Sequence, residues 1–96
     1  MHARIATFEG DPGALEPMIQ GMKKDIESGE IPPGLEGAKE VMVFVDRESG
    51  RTVGITLFED EEGLKRGHEA LNQMSPDGPM RRTSVDLYEV PIRKSL

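Results

Sequence analysis

Apolar residues recur at helical spacing through Leu15, Met18, Ile19, Met22 and Ile26, with Lys23, Lys24, Asp25 and Glu27 on the other side. That period predicts an amphipathic helix. Asp11 is placed to cap it and Pro12 to stand at its first position, where a missing N–H breaks no bond. Pro17 moves the expected start of regular helix to about Glu16-Pro17. Ser28-Gly29 suits its C-terminal end, because glycine takes the left-handed conformation freely. A second stripe, Leu64, His68, Leu71 and Met74, predicts a helix capped by Asp60, with Glu61 and Glu62 at the positive end of its dipole. Residues 3–9, 39–46, 51–59 and 83–90 read as strands. In the second of these, Val41-Met42-Val43-Phe44-Val45 shows no polar alternation, which predicts burial on both faces. Arg47-Glu48-Ser49-Gly50 suits a hairpin loop and residues 75–79 a turn, while Ile31-Pro32-Pro33-Gly34 is a stiff connector.

The predicted order is β-α-β-β-α-β over residues 1–96, a single domain. That order defines a ferredoxin-like α+β fold, with a four-stranded antiparallel sheet and two helices on one face. Sorting strand residues by parity divides them into two sets. Odd positions carry Ile5, Val41, Val43, Val45, Val53, Ile55, Leu57, Val85 and Leu87. Even positions carry Ala6, Phe8, Met42, Phe44, Phe58, Tyr88 and Val90, including every aromatic residue. With strands in common register this gives one aliphatic and one aromatic face. Two helices cover only one of them, and an apolar face left over signals association.

Composition supports that expectation. Only 35% of the 96 residues are hydrophobic and 4% aromatic, so the core of one chain is thin, and a second copy adds buried area. The absence of Cys excludes disulfides, thiolate metal sites and cysteine nucleophiles. A net charge of −6 argues against a nucleic-acid surface. No apolar run approaches the ~20 residues of a membrane span, and Met1-His2-Ala3-Arg4-Ile5 has no signal-peptide core; both point to a cytoplasmic protein away from membranes. The acidic run Glu59-Asp60-Glu61-Glu62 is accounted for by capping and the helix dipole, so no metal is expected. Gly29 and Gly34 have P-loop spacing, but Leu35 stands where the lysine is required.

The chain resembles the dimeric α/β-barrel superfamily, in particular its small antibiotic-biosynthesis-monooxygenase-like bacterial members. The residues that carry the resemblance are Ala3 through Pro12, Pro33-Gly34-Leu35-Glu36-Gly37-Ala38, Val45 through Gly50, Thr56 through Glu62, and Tyr88-Glu89-Val90. The resemblance implies a homodimer whose sheets meet face to face, with a pocket between sheet and helices in each subunit. It implies binding or oxidation of an aromatic metabolite without metal, flavin or other cofactor. It also places Phe58 toward the second helix, so the even face is expected under the helices and the odd row, Val41, Val43, Val45, Ile55 and Leu57, against the partner.

His68 and Tyr88 are the candidate catalytic residues. A histidine titrates near neutral pH and serves as a general base, although a partly buried histidine held by a carbonyl or water is the plainer reading. The resemblance implies that Tyr88 and Arg4 orient a phenolic substrate. Phe8, Phe44, Phe58 and Met22 are the candidate substrate-binding residues, since aromatics and Met suit a flat apolar ligand. A non-catalytic ligand-binding or assembly protein on the same fold is the competing reading. A haem-degrading branch pairs an aromatic at the end of the third strand with a ligand histidine, and Phe58 and His68 match that pair. Phe58 replaces its Trp, however, and Ala6 and Thr7 stand where that branch has an Asn.

Overall fold

The computed structural model describes residues 1–73 and 80–96. Strand β1 (His2–Glu9) leads through a 3-10 turn at Pro12–Ala14 into α1 (Leu15–Glu27). Strands β2 (Ala38–Val45) and β3 (Thr52–Phe58) follow, then α2 (Glu61–Gln73) and β4 (Arg81–Glu89). The four strands form one antiparallel sheet in the order β2-β3-β1-β4. This is the ferredoxin-like βαββαβ arrangement of the α+β class, as expected. Met74 and the turn expected over residues 75–79 lie outside the described residues.

Local chemistry sets the boundaries. Asp11 Oδ1 accepts from the Gly13 N–H at 2.9 Å and caps the 3-10 turn, with Pro12 at its first position. Helix α1 begins at Leu15, which puts Pro17 in its first turn, where backbone N–H groups have no helical acceptor. Asp60 Oδ1 accepts from the Gly63 N–H at 2.7 Å and starts α2. The β2–β3 loop closes through Asp46, whose carboxylate accepts from the N–H groups of Glu48 and Ser49. Gly50, at φ +82°, supplies the left-handed residue that loop requires.

Pairing decides which residues share a face, and it departs from the parity reading. Between β1 and β3 the even residues face each other, as in Arg4↔Thr56 and His2↔Phe58. Between β1 and β4, however, even meets odd: Ala6↔Val85, Arg4↔Leu87, Ala3↔Tyr88. Strand β2 starts in phase with β3 at Ala38↔Phe58, then slips at an irregularity before Glu40↔Leu57, so Val41 faces Thr56 and Met42 faces Ile55. The helix side therefore carries Val41, Val43 and Val45 of β2 with Val85 and Leu87 of β4. The opposite side carries Met42 and Phe44 with Ile5, Val53, Ile55, Leu57 and Tyr88. The aromatic residues do not share one face: Phe8 and Phe58 lie beneath the helices, Phe44 and Tyr88 on the helix-free side. The row expected to meet a partner is split in the same way. A single extra residue in one strand of a pair reverses every side chain beyond it.

The core lies where α2 meets β1 and β3. Phe58 and Leu15 are its fully buried side chains, joined by Ala6 and Leu64. Gly67 sits directly over Phe58, and a Cβ at this position would land on the edge of the ring. A glycine here lets the helix backbone rest on the aromatic. Strand β2, expected to be buried on both faces, is an edge strand, and Val41 remains 55% exposed on the helix side and Phe44 52% on the other.

Beyond β4 the chain turns back along the sheet. The Val90 N–H bonds to the Met1 carbonyl at 2.8 Å, and Arg93 reaches Glu40 on the opposite edge strand at 2.6 Å. Among the described residues, no helix is long and apolar enough to cross a membrane.

Candidate functional site

Residues four apart on a helix lie on one face, and in α2 that spacing brings His68 and Asn72 together above β1. Arg4, the β1 residue beneath them, is only 5% exposed. Its Nε donates to His68 Nδ1 at 3.2 Å and its Nη2 to Asn72 Oδ1 at 3.2 Å. Arg82, at the start of β4, donates from Nη1 to the same Asn72 oxygen at 2.9 Å. The β1–β4 irregularity between Thr7 and Phe8 sets Arg82 opposite Phe8 and so on the helix side. Asn72 Nδ2 lies 3.1 Å from His68 Nε2.

The electrostatics of this cluster are unusual for an acidic chain. Among the described residues no carboxylate lies within ion-pair distance of Arg4 or Arg82, while Arg47, Arg51, Arg66 and Arg93 all have exposed carboxylate partners. Burial, and then the charge of Arg82, hold the Arg4 guanidinium below its ordinary pKa. Because His68 Nδ1 accepts from a guanidinium, the neutral imidazole carries its proton on Nε2. The Asn72 side-chain amide stands against that second ring nitrogen, and which of the two donates follows the tautomer. Among the described residues, the side chains of Arg4 and Arg82 donate only to Asn72 Oδ1 and His68 Nδ1.

Apolar surface adjoins it. On the helix side of the sheet Arg4 stands beside Leu87, and Ala6 beside Val85. Leu87 is 43% exposed, so the helices leave this edge open. The Thr52 hydroxyl, buried opposite Phe8 on the same side, makes no hydrogen bond.

The residues singled out from the sequence are thus divided between two places. Arg4 and His68 are in direct contact, and Phe8 and Phe58 share their side of the sheet. Met22 is half-buried on α1. Tyr88 and Phe44 lie on the helix-free side, each 52% exposed, and so do not converge with His68. Sequence reasoning missed Asn72 and Arg82. The i, i+4 spacing from His68 marks Asn72, the only asparagine in the chain. Nothing in the local sequence marks Arg82, whose side of the sheet depends on the extra residue, Thr83, that β4 carries opposite Thr7/Phe8.

No family model matches this chain, and no curated protein matches its sequence. Solved structures match its fold along nearly its whole length. It is similar to MhuD, a haem degrader of Mycobacterium tuberculosis solved with two haems in its active site, at 14% identity and a TM-score of 0.73, over 99% of this chain and 100% of that one. An antibiotic biosynthesis monooxygenase aligns at 18% identity and a TM-score of 0.60, over 94% of this chain and 98% of its own. A conserved protein from Methanosarcina mazei aligns at 16% identity and a TM-score of 0.54, over 91% and 89%. The class defined here is therefore a ferredoxin-like α+β fold of the kind found in antibiotic biosynthesis monooxygenases. At these identities the likeness is one of fold.

Proposed function

We propose that this protein is a homodimer that binds a flat aromatic metabolite between α2 and the helix side of its sheet and oxidises it with dioxygen, without a bound cofactor. The observation that carries this reading is the cationic, donor-rich cluster of Arg4, Arg82, Asn72 and His68 beside accessible apolar sheet. Two guanidinium groups in a partly dry site favour the ionised form of a phenolic ligand. An electron-rich phenolate or its carbanion is the species that reacts with dioxygen. In this role Arg4 and Arg82 stabilise negative charge as it develops, and His68 Nε2–H offers a hydrogen bond to the reduced oxygen. The substrate supplies the electrons; one oxygen atom stays on it as a carbonyl and the other leaves as water. The homodimer reading rests on the apolar helix-free face.

Oxygen uptake with 1,8-dihydroxy-9-anthrone as substrate tests the proposal. Uptake well above the buffer rate, lost in Arg4→Gln, is the expected result. Uptake equal to buffer, with the anthrone still bound, leaves a ligand-binding protein without this chemistry.

Haem, present in MhuD, does not fit these residues. A haem-ligating histidine presents an unprotonated Nε2 to iron while its Nδ1–H donates to a carbonyl or carboxylate. Here Nδ1 accepts from Arg4, and the Asn72 amide nitrogen stands against Nε2. Titration with haemin is expected to give no saturable Soret shift that depends on His68. A stoichiometric shift abolished in His68→Ala would replace the oxygenase reading with a haem-binding one.

A further inference from the structure

We infer that the Arg4–Arg82 pair is the anchor for a carboxylate, so that the ligand of this site is an aromatic acid rather than a neutral ring. The inference rests on the aromatic-ligand reading above and narrows it to a chemical class. A guanidinium that is 5% exposed needs a compensating charge, because a buried ion without one is costly. The chain has 18 acidic residues, yet among the described residues none pairs with Arg4 or Arg82. Asn72 Oδ1 takes a hydrogen bond from both arginines, so the two guanidiniums already converge on one oxygen atom. Among the described residues, the remaining N–H groups of the two guanidiniums make no hydrogen bond.

A carboxylate answers both deficits. It is ionised throughout the neutral range, and its two oxygens accept as many as four hydrogen bonds. A phenol has to lose a proton with a pKa of about 10 before it brings the same charge. The ring of the acid then rests on Leu87 and Val85, the accessible residues of β4 on the helix side between Arg4 and Arg82.

Three ligands on one ring system separate the outcomes: 2-naphthoate, 2-naphthamide and 2-naphthol, each titrated calorimetrically into the full chain. The wild type is expected to bind the acid about tenfold tighter than the amide or the naphthol, as charge-assisted hydrogen bonds allow. Arg82→Gln, at an exposed position, should erase that preference by weakening acid binding more than amide binding. Arg4→Gln should do the same, with circular dichroism confirming its fold. If acid and amide bind equally to the wild type, the carboxylate anchor is overturned and the aromatic-ligand reading stands. Naphthol binding as tightly as the acid overturns it in favour of a phenol site. A preference that survives in Arg82→Gln places the anion elsewhere and also overturns it. Failure of all three ligands to bind removes both readings.

Discussion

Two glycines in the helices lead to opposite expectations. Gly67 has the ring of Phe58 where its Cβ would be, and that ring is fully buried. Gly67→Ala should therefore destabilise the fold by about 1–3 kcal/mol, the usual range for overpacking. Gly21 stands in the middle of α1, exposed, with nothing within 4 Å of a Cβ. Gly21→Ala should stabilise by about 0.5–1 kcal/mol through helix propensity and a less flexible unfolded chain. Urea unfolding of the two variants checks both signs. Gly67 also adjoins His68 in α2, so raising the helix lengthens the His68–Arg4 contact. Loss of carboxylate preference together with stability in Gly67→Ala is the expected signature.

At the scale of elements, the β2–β3 hairpin makes a pH prediction. Backbone N–H groups, Glu48 first and Ser49 next, hold the Asp46 carboxyl below its ordinary pKa. Glu16 is lowered first by its hydrogen bond to Arg47, and Glu36 by its own backbone N–H followed by that of Gly34. A carboxyl with a depressed folded pKa contributes its full stability above the unfolded value and loses it as pH falls through the folded one. The melting temperature of the wild type should thus exceed that of Asp46→Asn at pH 7, and the gap should close below about pH 4. Scanning fluorimetry at pH 7 and pH 3 reads the difference. This loop was legible in the sequence from Arg47-Glu48-Ser49-Gly50, whereas the part of Asp46, read as the last strand residue, was not. The two helices were legible as well, from their apolar periods and from Asp60. The side-chain order of β2 and β4 was not, since one slipped residue near Lys39 and another at Phe8 exchange the faces without altering composition. For the same reason Arg4 and His68 could be singled out separately, whereas Arg82 could not be brought to them.

For the whole molecule, the helix-free face carries Met42, Phe44, Ile5, Val53, Ile55 and Tyr88, an apolar surface suited to facing a second sheet at about 10 Å. Light scattering should give twice the mass of the chain. The observed pairing puts Phe44 rather than Val43 on this face. Phe44→Arg should yield a monomer, because an unpaired guanidinium between two sheets costs several kcal/mol by order of magnitude. Val43→Arg should remain a dimer, since Val43 is half-open on the helix side and a long side chain there keeps its charge in water. The reverse result would place the helix side at the interface.

The bond from Val90 to Met1 also has a mechanical meaning. Strands β1 and β4 are antiparallel neighbours, so handles at these two residues emerge side by side from the same end of the sheet. Tension between them loads the β1–β4 ladder like a zipper, across its hydrogen bonds rather than along the strands, and the bonds yield singly. The ladder opens from His2↔Glu89 toward Glu9↔Arg81, reaching Arg4↔Leu87 early. The Arg4–His68–Asn72 contacts therefore come apart near the start of such an extension, while the β2–β3 hairpin is still whole.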